Sequence, residues 1–376
     1  MKASLGLIVN PIAGMGGAVG LHGTDGTPRF EEAKRRGAKS VTASRTAQTL
    51  RRLDGSKIGL TTVRGPMGAD IVESCNIEYE VIPVEFGDTT TGADTEVAAR
   101  ALVEAGCELI LFAGGDGTAL DVVRGADSTV PILGIPSGVK MRSGVFAVNP
   151  EAAGDIANDF FAGHQRSVRP ADLVDISDDG STERLFGVAV VPSFGGGRLA
   201  SSKSSTTMGS IVEIVALCRA LASELEPDTL YLFGPGSTTT QVLNELGLTG
   251  SPLGVDAVIN GTLVGTDLSE EEILELLRHG PRSKLVLGVV GGQGFLLGRG
   301  NQQLSSQVLE YFDSEDLVII SSASKLVTLN PAVLWVDLNG GSPSWVTGYH
   351  QVRVAPRKSV LMRVATSVQD SNNGRR

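Results

Sequence analysis

Three features of this 376-residue sequence predict an α/β fold. Short apolar runs alternate with helix-patterned segments between residues 5 and 135, the pattern of a parallel sheet with crossover helices. Glycine-bearing loops follow four of those runs, after Asn10, Val63, Phe112 and Ile135. In a parallel sheet these loops share the carboxyl edge, where open α/β sheets bind ligands. The chain is also long enough for two domains of about 100–200 residues each.

The elements follow in order. Residues 5–10 form an apolar strand that ends at Asn10-Pro11, and the loop over 11–27 carries Gly14, Gly16, Gly17, Gly20, Gly23 and Gly26. A helix is expected over 43–53, strands over 57–63 and 79–84, and a helix over 94–105 capped by Thr91 or Asp94. A buried strand over 108–112 runs into Gly114-Gly115-Asp116-Gly117-Thr118, after which residues 119–123 start another helix. A strand over 131–135 then leads to Pro136-Ser137-Gly138. The second part is less regular. It has strand patterns over 185–191, 229–233, 284–290, 317–321 and 333–338, and a helix over 211–225. A Ser/Thr-rich loop is read over 200–210, after Gly195-Gly196-Gly197. Ser269 and Glu272 form a capping box for a helix reaching Arg278. The expected division is residues 1–145 for the first domain, 146–366 for the second, and a polar, disordered tail over 367–376.

Composition narrows the function. A formal net charge of -10 argues against nucleic acid, which favours a basic face. It leaves phosphate-bearing small molecules open, because backbone amides bind phosphate without net positive charge. Cys75, Cys107 and Cys218 contain no Cys-x-x-Cys pair and read as reduced, mostly buried thiols. His22, His164, His279 and His350 show no metal-ligand spacing, so a structural zinc site is not expected. No uncharged apolar run approaches the ~20 residues a bilayer requires, and the first apolar run is read as a strand rather than a signal peptide. A cytoplasmic protein with no membrane partner, and a homo-oligomer, is the expectation.

The segment 114–118 carries the strongest chemical signal, since it follows a strand and precedes a helix. Gly114, Gly115 and Gly117 let the backbone turn and let a polyphosphate approach the amides at the helix start, with Thr118 beside them. Asp116 is then held where it can take a proton from an attacking hydroxyl. Asp121, one turn past Thr118, is the candidate Mg²⁺ ligand. Ser137 and Gly138 lead to Lys140, a cation able to offset developing phosphate charge. Gly234, Gly236, Ser237 and Thr238 offer amides and hydroxyls in one turn. Arg299, Asn301 and Gln302 form a polar stretch after a glycine-rich loop, and Asp25, Asp256, His22 and Lys325 are further polar candidates.

These residues resemble a known group. Segment 114–118 is similar to the signature shared by NAD kinases, diacylglycerol and sphingoid lipid kinases and 6-phosphofructokinases, and Asn10-Pro11 with Gly14, Gly16 and Gly17 resembles that group's N-terminal phosphate-side loop. The blocks at 20–26, 65–68, 134–141, 234–236, 253–256 and 291–294 resemble the ATP-NAD kinase-like family, in the branch that includes the acetoin-catabolism protein X. The resemblance implies an α/β N-terminal domain and a β-rich C-terminal domain. It also implies ATP or inorganic polyphosphate as donor, Mg²⁺, and an NAD ribose hydroxyl as acceptor, with Asp116 engaging that hydroxyl. The sequence departs from the usual NAD kinase pattern in its second half: residues 234–240 lack the tyrosine of that pattern, and Asn244-Glu245 falls in a helix-patterned stretch. A lipid kinase of the same superfamily and a non-catalytic nucleotide-binding regulator are the competing readings.

Overall fold

A computed structural model of the chain describes residues 2–21, 27–87, 90–126, 130–139, 141–162, 166–176, 183–193, 208–280, 282–290 and 294–366. The expected tail over 367–376 and the loop residues 195–197 and 200–207 lie outside the described residues. The chain forms two compact units: Met1–Met15, Gly23–Lys34 and Lys39–Ser202 in the first, and Gly16–His22, Arg35–Ala38 and Lys203–Arg376 in the second.

The first unit begins with β1 (Ala3–Val9), α1 (Thr27–Arg35), α2 (Thr42–Leu50), β2 (Ile58–Val63), α3 (Ala69–Ser74) and β3 (Tyr79–Ile82). It continues with α4 (Gly92–Glu104), β4 (Leu109–Gly114), α5 (Asp116–Ala126) and β5 (Ile132–Pro136). Its sheet has the order β3-β2-β1-β4-β5, and all neighbouring strands are parallel. Leu5, Leu7, Ile8 and Val9 in β1, and every residue from Leu109 to Ala113 in β4, are fully buried. Both faces of the sheet are covered, which is why these strands read as continuous apolar runs rather than alternating ones. Helix α4 opens on a capping box in which Thr91 is the N-cap and Asp94 accepts its amide N–H at 2.7 Å.

The chain lays β2 and β3 to one side of β1, then β4 and β5 to the other. The strand order therefore reverses between β1 and β4, and the loops leaving those two strands flank the crevice where doubly wound sheets place ligands.

The first unit runs on past residue 145 through α6 (Pro150–Ala162) and a hairpin of β6 (Val168–Ile176) and β7 (Glu183–Pro192). Ala171 and Leu173 of β6 and Ala189 and Val191 of β7 pack into one core with Phe112 and Phe146. Thr49 donates its hydroxyl to the Pro150 carbonyl at 2.8 Å and so fixes α6 against α2. These contacts, invisible to a boundary drawn from strand patterning alone, hold the segment to the first unit.

The second unit contains α7 (Met208–Ser223), β8 (Leu230–Phe233), α8 (Ser237–Glu245), β9 (Asp256–Ile259), β10 (Thr262–Gly265), α9 (Glu270–His279) and β11 (Ser283–Gly288). Next come β12 (Phe295–Leu297), α10 (Ser306–Leu309), β13 (Leu317–Ile320), α11 (Ala323–Val327), β14 (Val333–Val336), β15 (Gly348–Ala355) and β16 (Lys358–Ala365). One sheet holds all its strands, in the order β10-β9-β8-β11-β13-β15-β16-β14-β12. This is the expected β-rich C-terminal domain. Alternate residues feed two cores: Leu230, Leu232, Leu285 and Leu287 go to one, and Tyr231, Phe233 and Val286 to the other. Opposite faces of the sheet thus receive alternate side chains. The capping box at Ser269 is formed as read.

All three cysteines are free, and Cys107 and Cys218 are buried. Burial pushes the Cys218 thiol up to about 12, which leaves it protonated and unreactive at neutral pH.

Gly134 in β5 shows how tight the first core is. A Cβ there would come within 2.4 Å of the Phe146 ring and 2.9 Å of the Phe112 ring, which pack edge to face. Gly134→Ala is expected to destabilise the first unit by about 1–3 kcal/mol, the usual cost of overpacking, read as a lower urea midpoint at unchanged slope.

Candidate active site

Three loops of the first unit interlock at the carboxyl edge of its sheet. Asn10, directly after β1, donates its backbone N–H to Ala113 O at 2.9 Å and its Nδ2 to Thr118 Oγ1 at 3.0 Å, while its Oδ1 accepts the Ile12 amide at 3.2 Å. One side chain thus joins the first glycine loop to the second. At the end of β4, Gly114 O accepts the amides of Ser137 at 3.1 Å and Gly138 at 2.9 Å. A Cβ on Gly114 would stand 2.4 Å from Thr118 Oγ1. Gly14 has φ +76°, and a Cβ on it would fall 2.1 Å from Ser137 O. Only glycine satisfies both demands, the left-handed backbone and the close approach.

Asp116 opens α5, where the helix dipole and the first-turn amides face any ligand in the crevice. Its side chain reaches the loop after β5. Oδ2 accepts the Arg142 amide at 2.8 Å and Oδ1 accepts the Ser143 amide at 3.0 Å, with the residue only 3% exposed. Ser143 Oγ in turn donates to Val174 O at 3.2 Å and accepts the Val174 amide at 3.0 Å, which fastens this loop to β6. The two amides hold the carboxylate in one orientation at the head of α5. Next to it, Gly117 is open: a Cβ there meets nothing within 4 Å.

Asn10, Gly14, Gly114, Gly115, Asp116, Thr118, Ser137 and Gly138 are thereby brought together. Lys140, Asp25 and His22 lie outside the described residues. Gly16 and Gly17 fold with the second unit, where Gly17 lies against Gln302. Asp121 follows Asp116 by five helical positions, about 140° round the helix axis. It faces Gly92 of α4 and pairs with Arg124 Nη1 at 3.4 Å, a neighbourhood different from that of Asp116. Among the described residues no group of three or more His, Cys, Asp or Glu side chains is placed to hold a metal ion.

In the second unit, Gly234 follows β8, and Gly236, at φ +131°, is the N-cap of α8. Ser237 and Thr238 supply the first-turn amides of that helix. Asn244 and Glu245 belong to α8, and Glu245 binds Arg219 at 2.9 Å, so this pair is structural. Asp256 is 1% exposed and takes the amides of Ser251 at 2.7 Å and Asp267 at 3.0 Å. Burial pushes its carboxyl above the usual range, and it braces a loop. Lys325 donates to Val289 O at 2.8 Å.

Helix α2, expected from the sequence as an element, carries a supporting role that no motif marks. Thr42, Arg45, Thr46 and Thr49 form a buried polar stripe on it. Thr42 Oγ1 donates to Ala13 O at 3.0 Å, next to Gly14, and Arg45 Nε donates to the Pro136 carbonyl, next to Ser137. This helix therefore holds two of the three loops. The signal was present as polar residues at the three-to-four spacing of an inward face, where a hydrophobic search finds nothing.

A glycine turn at the switch point of a parallel sheet opens a helix beside a buried and oriented carboxylate, an arrangement whose backbone amides are able to hold phosphate groups. The family models for the two ATP-NAD kinase domains match the chain, the N-terminal domain over residues 5–165 and the C-terminal domain over residues 227–364. The chain belongs to the ATP-NAD kinase family and is a kinase. No curated protein matches it. No helix among the described residues is long and apolar enough to cross a membrane.

The hydrogen bonds to Asp116 carry a stability consequence. An asparagine there turns an NH₂ group against either the Arg142 or the Ser143 amide. Asp116→Asn is expected to lower stability by about 1–3 kcal/mol, the cost of leaving a buried donor unmet. A capping role would tolerate Asn with little loss, because both residues cap helices about equally. Urea unfolding of the variant separates the two.

Proposed function

We propose that this kinase transfers the terminal phosphoryl group of ATP, or of inorganic polyphosphate, to a ribose hydroxyl of NAD, making NADP. The observation that carries this reading is the Asp116 carboxylate, fixed by two backbone amides at the head of the glycine turn. In this reading the donor phosphates lie against the amides of Gly115, Asp116 and Gly117, with Ser137 and Gly138 completing the wall. The ribose hydroxyl gives a hydrogen bond to the Asp116 carboxylate, which takes its proton as the new O–P bond forms and the bond to the leaving phosphate breaks. Gly234, Gly236, Ser237 and Thr238 are proposed to contribute to binding the dinucleotide.

Magnesium fits this donor set in one form only. Mg²⁺ commonly takes one or two carboxylates, with substrate phosphates and waters completing its octahedron. Asp116 can offer one such oxygen, and the phosphates supply others. Bound there, the ion neutralises charge on the phosphates. Asp121, engaged with Arg124, is outside this proposal. The expected setting is the cytoplasm, with the protein as a homo-oligomer, a state that light scattering reads directly.

The test is incubation of the pure protein with Mg²⁺, ATP and NAD, with the product identified by mass and NMR. Phosphorylated NAD with no labelled diacylglycerol or sphingosine is the expected outcome, and activity is expected to vanish with excess chelator and to return with Mg²⁺. A lipid as the only labelled acceptor would sink the proposal. Asp116→Asn, assayed where it is fully folded, is expected to lower kcat by about a hundred- to ten-thousandfold. Gly117→Ala is expected to fold at least as well as wild type, since Ala favours a helix by up to ~1 kcal/mol. It should nonetheless lose activity, because its methyl occupies the approach of the phosphates.

A further inference from the structure

The polar stretch after β12 holds structural contacts and two amide oxygens unmet among the described residues, on Gln302 and Gln303. Arg299 is 3% exposed, stacks over the Phe295 ring at 4.3 Å and pairs with Asp337 at 3.4 Å. Asn301 accepts the Gly298 amide at 2.8 Å and donates to Leu296 O at 2.9 Å. Gln303 is the more deeply placed of the two. It is 2% exposed, and its Oε1 is buried without a hydrogen-bond donor among the described residues. Protein interiors rarely leave such an oxygen unmet, and an unbranched apolar side chain of equal length would fill the same space without that cost.

Its position gives the oxygen a context. The preceding residue, Gln302, lies against Gly17, where a Cβ would come within 3.0 Å of the Gln302 Cβ. The following residue, Leu304, reaches 3.9 Å from the Cβ position on Gly234. Gln303 thus stands in the second unit between two of the glycine segments that the sequence marks for ligand binding.

We propose that Gln303 is a specificity-determining residue whose Oε1 accepts a hydrogen bond from an exocyclic NH₂ group of the bound dinucleotide. The inference rests on the NAD reading above. An uncharged amide oxygen recognises N–H donors and rejects an oxygen in the same place. NAD carries two suitable groups, the adenine amine and the nicotinamide carboxamide, and side-chain amides pair with adenine in this way.

Calorimetric titration of the full chain separates these sources. The ligands are NAD, its hypoxanthine counterpart (oxygen for the adenine amine) and its nicotinic acid counterpart (carboxylate for the carboxamide). With wild type, one of the two analogues is expected to bind roughly ten- to a hundredfold more weakly than NAD, and Gln303→Met is expected to lose a similar factor for NAD and to cease discriminating against that analogue. Gln303→Met is also expected to melt no lower than wild type, a result that a purely structural glutamine would not give. Equal affinity of wild type for all three ligands overturns the inference and leaves the kinase proposal standing, as does a Gln303→Met protein with undiminished NAD affinity. A wild type that binds none of the three removes the NAD reading itself, and this inference with it.

Discussion

A carboxylate that is 3% exposed must find donors, and in this protein Asp116 finds them in the backbone of Arg142 and Ser143. Much of the first unit follows from that requirement. The chain has to return to the edge of β4 after β5, so Ser137 and Gly138, and then Arg142 and Ser143, bond to the glycine turn. Ser143 then binds Val174, which brings the β6–β7 hairpin onto the same core as Phe112 and Phe146. Gly14 is glycine because its loop meets the Ser137 carbonyl more closely than any side chain allows, and Gly114 because Thr118 of its own turn folds back against it. Fold and candidate site are one set of constraints: loosening the 142–143 loop would loosen the Asp116 carboxylate and expose the core together.

The same arrangement reconciles a net charge of -10 with a phosphate-bearing substrate. Charge neutralisation at the site falls to backbone amides, the dipole of α5 and whatever cation accompanies the phosphates, rather than to a basic surface. Arg45, buried and bonded to the Pro136 carbonyl, places one fixed positive charge close to the loop that begins with Ser137 and Gly138. Its helix is polar on its inward face because that face supports loops, whose carbonyls need donors, rather than a sheet, whose side chains need apolar partners.

Much of this was legible in the sequence. The buried strands β1 and β4 are continuous apolar runs, the glycines after them sit where the backbone turns, and Thr91 with Asp94 and Ser269 with Glu272 announce their helices by capping chemistry. The β15–β16 hairpin was missed because its residues alternate with arginine and glutamine on a partly exposed face, and its turn at Pro356-Arg357 lacks the Asn-Gly signal of a tight hairpin. The partners of Asp116 were illegible for a different reason: backbone amides 26 and 27 residues away leave no mark in side-chain identity. Gly16 and Gly17 look the same in sequence as Gly14, yet fold with the other unit, because composition records flexibility but not the neighbour that requires it.

The central claim is that the Asp116 carboxylate faces the hydroxyl that receives the phosphoryl group. A crystal structure of the protein with NAD and a non-hydrolysable ATP analogue tests it most directly. The account predicts a ribose hydroxyl within hydrogen-bond reach of Asp116, about 2.6–3.2 Å, and phosphate oxygens against the amides of Gly115 and Gly117. Nucleotides bound elsewhere, with the Asp116 carboxylate touching only the Arg142 and Ser143 amides, would contradict it.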